Sequence, residues 1–201
     1  MDYFLLNGIL LFFFSAFFGS LLKIEDLVVD DKLRLIKYTN IIPFITSGLA
    51  ILMLYFSSFH TKLVWLSIIF SWIIRGKIDH YYHGIVIGLI LIFYIFFQNI
   101  IFYYKYFFNL FYLITSFSIV GFVHDQVKID YRLKIKKNLP PIKKFFLHHI
   151  WFFWSIILII YNIYFYFDYK MFISIIGFLA GYTFFYTKHS KKILILFKQK
   201  I

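Results

Sequence analysis

Residues Tyr3 to Leu22 read YFLLNGILLFFFSAFFGSLL, a run without a charged side chain. Coiled as a helix it reaches the roughly 20 residues that cross the hydrocarbon core of a bilayer. Four further runs approach or reach that length: Ile41 to Phe59, Gly84 to Tyr104, Tyr106 to Val123 and His149 to Phe167. Two more, at 61–74 and 171–187, are shorter. Backbone groups in hydrocarbon must satisfy one another, so a spanning segment is a helix or a strand of a closed barrel. Barrel strands alternate apolar and polar residues over about 10 positions, and these runs do not. The expected fold is therefore all-α: a polytopic bundle of about seven transmembrane helices forming one domain over residues 1–201.

Composition points the same way. Of 201 residues, 62% are hydrophobic and 25% aromatic, more apolar surface than a soluble domain of this size can hide from water. The chain has no cysteine, which excludes disulfides, thiolate metal ligands and a thiol nucleophile. The first run has neither a basic n-region nor a small-x-small cleavage site before Lys23, so it is read as a span and not as a cleaved signal.

Loops that stay in the cytoplasm carry the excess of Lys and Arg. With spans at 3–22, 41–59, 61–74, 84–104, 106–123, 149–167 and 171–187 and the N-terminus outside, 18 basic residues fall inside and only Lys62, Lys105 and Lys170 outside. One missing helix would invert every later loop, so this asymmetry supports an odd number of crossings with the C-terminus cytoplasmic, in a prokaryotic cell membrane. The net charge of +12 then reflects basic loops lying against anionic membrane lipids. Nucleic acid is not an expected partner, because the basic residues flank spans and form no recognition module. Gly177 and Gly181, one turn apart, are read as small residues that let their helix approach a neighbour closely.

The acids sort to the same side, although the positive-inside rule scarcely depends on them. Seven of nine lie inside: Glu25, Asp26, Asp30, Asp31, Asp79, Asp125 and Asp130. If the first helix continues past the membrane, Asp26 and Asp30 stand one turn apart with Glu25 over the same edge. Like charges so placed repel, and a hard divalent cation such as Mg2+ would resolve the repulsion, taking carboxylates, water and substrate phosphate together. The alternative is a solvated loop neutralised by Lys23, Lys32, Arg34 and Lys37.

A second cluster runs from Arg75 through Lys77, Asp79, His80 and His83 to Gly84. Asp79 and His83 at i, i+4 suit a metal or a carboxylate-oriented imidazole; Arg75 and Lys77 suit a phosphate, as fork and point charge. The alternative is a short turn with interfacial tyrosines. His124-Asp125, at the inner end of the fifth span, is a third, weaker element on the same side. Residues 132–144 read as a basic linker broken at Pro140-Pro141. No charged residue stands at mid-span, unlike a proton pump or voltage sensor.

On Asp26-Leu-Val-Val-Asp30 and the chain length, the sequence resembles CDP-alcohol phosphatidyltransferases, although their Asp-Gly-x-x-Ala-Arg segment is missing. It is loosely similar to UbiA-type prenyltransferases, which are larger and whose Asn-Asp pattern Glu25-Asp26 does not match. It also resembles a group of uncharacterised archaeal multi-pass membrane proteins, in the acidic patch after the first helix, in Lys77 to His83 as Lys-x-Asp-x-x-x-His, and in Gly181-Tyr182. The first two resemblances imply lipid synthesis at a cytoplasmic metal site; the third brings no activity.

The expectation is a divalent-metal-dependent enzyme of lipid metabolism acting on a phosphorylated or diphosphorylated lipid at the cytoplasmic leaflet. Glu25, Asp26, Asp30 and Asp79 would bind the metal, Arg75 and Lys77 the phosphate, and His83 or His124 would act as acid or base. A small-solute or metal-ion transporter, with the acids as its vestibule, and a non-enzymatic accessory subunit are the alternatives.

Overall fold

The computed structural model describes residues 3–30, 39–76, 78, 81–97, 105–132, 150–164 and 168–184. Among them stand seven α-helices and no strand. They are α1 (Tyr3–Asp30), α2 (Ile42–Phe56), α3 (Phe59–Ile74), α4 (Tyr81–Phe97), α5 (Phe107–Arg132), α6 (Ile150–Tyr164) and α7 (Tyr169–Phe184), with a 3-10 turn at Thr39–Ile41 before α2. Two stretches, Leu5–Glu25 and Phe107–Ile129, are long and apolar enough to cross a membrane; the other five apolar helices are shorter. The helices gather into two compact units.

The first unit holds α1, α2, the first turn of α3, α4 and α7. Helix α1 buries Leu11, Ser15, Phe18, Leu22 and Glu25, spaced alternately four and three residues apart, and exposes Leu5, Ile9, Phe13 and Phe17 on another face. Its closest partner is α7. A Cβ on Gly177 would meet the Phe12 carbonyl oxygen at 2.5 Å, and one on Gly181 would overlap the carbonyl of Ala16. On the α1 side, Gly19 abuts the Phe178 backbone in the same way. Helix axes come this near only where side chains are absent, and the Ser15 hydroxyl lies 3.2 Å from that of Ser174 inside the seam. The close approach read from Gly177 and Gly181 is thus made, and its partner is the first helix.

Helix α2 packs between α1 and α4. It ends at Ser57, whose extended backbone (φ −80°, ψ 163°) breaks the helical register. Ser58 then caps α3 by accepting the Thr61 N–H at 3.1 Å. The hairpin expected at residue 60 therefore turns at Ser57-Ser58, because two adjacent serines supply the capping oxygens that an apolar run lacks.

The second unit holds the rest of α3, α5 and α6. Helix α5 buries Leu113, Phe117, Ser118 and Gly121 and exposes Phe108, Phe111, Ile119, Phe122 and Val123. Phe117 meets Trp154 of α6 with ring centroids 5.3 Å apart.

In both units some small polar residues are buried within the apolar core while other large apolar side chains stay exposed. Ser15, Thr46, Ser67, Ser71 and Ser174 are fully buried, whereas Phe108 is 83% exposed.

Candidate functional site

Helix α1 runs unbroken to Asp30, so the backbone positions of Asp26 and Asp30 stand one turn apart on one helix. Their side chains lie outside the described residues, as do Lys77 and Asp79 altogether. Glu25 continues the buried seam of α1 and is only 1% exposed. Its Oε1 lies 2.5 Å from the Thr46 hydroxyl of α2, which is also 2.9 Å from the Ile42 carbonyl oxygen. The carboxyl that was expected to hold a metal is thus engaged between two helices. Among the described residues, no three His, Asp or Glu side chains gather as metal ligands.

His83 stands in the first turn of α4, half-buried. Beside it, Tyr81 and Tyr82 point their hydroxyls at Asn40 Oδ1, at 2.8 and 3.3 Å. The Tyr81 phenol is pushed up to about 12, first by its hydrogen bond with Tyr82 and then by desolvation. It is a proton donor here and not a phenolate.

In the second unit, Arg75, Asp125 and His124 come together. The Arg75 N–H bonds the Ser71 carbonyl at 3.1 Å, extending the register of α3 by one residue. Gly76 then takes φ +64°, a left-handed conformation that glycine adopts without a Cβ penalty and that commonly ends helices. The Arg75 side chain runs onto α5, where Nε and Nη2 donate to Asp125 Oδ2 at 3.1 and 2.9 Å. A Cβ on Gly121 would overlap Nη1, Cζ and Nε of the guanidinium. Glycine at 121 and aspartate one turn on, at 125, are therefore what seat the arginine. The Asp125 side chain is 17% exposed and that of Arg75 only 4%. On the other side of the carboxylate, His124 Nδ1 lies 3.6 Å from Asp125 Oδ1.

A fourth constellation, at Asp168, was not among the residues singled out from sequence. Its Oδ1 accepts the Lys170 N–H at 3.0 Å, capping α7. Its Oδ2 accepts the Ser58 hydroxyl and, more distantly at 3.4 Å, that of Thr61. Two capping residues thus bind each other across 110 positions. His60 lies alongside; desolvation lowers its pKa, and the Asp168 charge partly opposes the shift. The available signal was an aspartate directly before an apolar run, the signature of a helix start.

Comparison with family models, with curated proteins and with solved structures finds no match for the chain.

Proposed function

We propose that the chain is an integral membrane protein of seven spans, N-terminus outside and C-terminus cytoplasmic, that acts on a phosphorylated or diphosphorylated lipid at the inner leaflet. The outward apolar faces and buried serines support the membrane reading, because lipid is the solvent in which that distribution costs least. The 28 residues of α1 and 26 of α5 correspond to about 42 and 39 Å of helix. That is enough to cross about 30 Å of hydrocarbon and carry the following acidic and basic residues into the headgroup layer.

The observation that carries the phosphate reading is Arg75, a guanidinium held by Asp125 against glycine at the end of an apolar helix. With Nε and Nη2 on Asp125, Nη1 is the charged donor left for a phosphate oxygen, and an ionisable group kept among apolar helices tends to serve function. In this reading Asp125 fixes the arginine and lies 3.6 Å from His124 Nδ1. His124 or His83 then serves as acid or base, with Lys77 as a second phosphate contact. Mg2+ on Asp26, Asp30 and Asp79 would supply neutralisation of phosphate charge when bound. Glu25 joins that set only if it leaves Thr46.

The test is incubation of the purified protein with membrane lipid extract, with and without Mg2+, followed by mass spectrometry of retained and altered species. Wild type is expected to retain a phosphorylated lipid and, with Mg2+, to change its mass; Arg75→Ala should retain at least tenfold less. Equal retention by the two proteins would discard Arg75 as the anchor.

A further inference from the structure

Buried hydroxyls in helices usually return their proton to the carbonyl one turn back, and most do so here. Ser15 bonds Leu11 O at 2.7 Å, Ser20 bonds Ala16 O at 2.8 Å, Ser47 bonds Pro43 O at 2.6 Å and Ser67 bonds Leu63 O at 2.8 Å. Ser71 and Ser118 do not. Both are buried, and among the described residues neither hydroxyl has a hydrogen-bond partner. The Arg75 Nη1 of the same unit shares that condition.

The positions of the three are related. Ser71 precedes Arg75 by one helical turn, joined by the backbone bond that carries α3 to Arg75. Side chains on a helix lean toward its N-terminus, so the arginine stem returns over the turn that holds Ser71. Ser118 precedes Gly121 by three residues on the buried face of α5, and Gly121 is where the guanidinium rests. Each serine is thus one turn from one side of the same contact. All three atoms are hydrogen-bond donors, and the nearby carboxylate of Asp125 already receives Nε and Nη2. A buried donor left unmade is costly, so a set of three fits a bound acceptor-rich group.

We infer that Arg75 Nη1, Ser71 and Ser118 form a buried oxyanion seat that takes the non-bridging oxygens of a phosphate group, with Asp125 and Gly121 as positioning residues. This rests on the reading of the protein as one that handles lipid phosphate, and it names the atoms that grip that group. The Nη1 donor supplies charge, the hydroxyls supply direction, and two faces of the seat come from helices set by the ion pair. The shared chemistry is the phosphate; a lipid headgroup and free inorganic phosphate are its two sources.

The experiment titrates the full chain in neutral detergent with short-chain phosphatidic acid and, separately, with inorganic phosphate, by calorimetry. Phosphatidic acid should bind wild type, Ser71→Ala/Ser118→Ala should weaken it about tenfold, and Arg75→Lys should weaken it more. Ser67→Ala, whose hydroxyl is spent within its own helix, should bind as wild type does. The serine double variant should also keep the wild-type Tm, because it breaks no bond, so weakened binding would not reflect unfolding. Undiminished binding of phosphatidic acid by the double variant overturns the seat and leaves the lipid reading standing. Inorganic phosphate bound as tightly as phosphatidic acid supports the seat and overturns the lipid reading. No binding of either by wild type overturns both.

Discussion

Asp168 and Arg75 are both buried ionisable residues next to helix ends, yet their surroundings are opposite in kind. Around Asp168 the hydroxyls of Ser58 and Thr61 and the Lys170 N–H all converge on one carboxylate. Around Arg75 the carboxylate takes two of its donors, and among the described residues Arg75 Nη1, Ser71 and Ser118 have no acceptor. A residue that only holds a fold together is expected to use its hydrogen bonds internally, since a buried donor without an acceptor is costly. The difference separates a carboxylate whose bonds are spent within the fold from an arginine corner that keeps donors in hand.

Three measurements break or sharpen this contrast. Asp125→Ala should have the largest effect, because it strands a guanidinium that is 96% buried by side-chain area. Removing one partner of a buried pair costs about 3 kcal/mol or more, readable as a lower midpoint in chemical unfolding from detergent. A midpoint within error of wild type would mean the guanidinium reaches solvent and the corner is not tight. Asp168→Ala comes next, at about 2 kcal/mol: a lost N-cap plus the Ser58 bond. Asp168→Asn should recover part of this, since an amide oxygen still caps. If Asp168→Ala were neutral, the bonds spent at Asp168 would not hold the fold together.

The smallest effect is the pH dependence of His60. Its pKa lies below the ordinary 6.5, through desolvation first, so the folded state prefers the neutral ring. Above the unfolded value both states are neutral and nothing is lost. As pH falls below about 6.5 the unfolded state takes up the proton first, and stability should decline until the folded-state pKa is passed. The exposed part of the ring keeps the change small. Tm should fall slightly between pH 8 and pH 5.5, and His60→Gln should flatten the profile. An unchanged slope in that variant would assign the dependence elsewhere.

How far the sequence could be read depended on the range of the interaction. Helix positions follow from apolar runs, and α1 to α7 overlap those runs. Yet α1 and α5 continue to Asp30 and Arg132, past the expected ends at 22 and 123, and the α2–α3 turn shifts to Ser57-Ser58. The close packing at Gly177 and Gly181 was legible because small residues at i, i+4 have a direct steric meaning. Glu25 was grouped with Asp26 and Asp30 as a metal ligand, yet the seam Leu11, Ser15, Phe18, Leu22 predicts its inward direction. Periodicity carried that information and adjacency hid it. Arg75 was read as a phosphate fork, and the carboxylate that seats it, 50 residues away, leaves no local mark. The use of Gly121 appears only once the arginine lies on it. The partners of Asp168 were invisible for the same reason, while its capping role was open to view.

The seam between α1 and α7 bears on how the chain is made. Ser15 and Ser174 are separated by 159 positions, so at about 5–20 residues per second the ribosome needs roughly 8–30 s to deliver the partner of the first helix. During that interval the glycine and serine stripe of α1 has nothing to close upon. Chains that stop before Gly177 and Gly181 never acquire the surface that fits it.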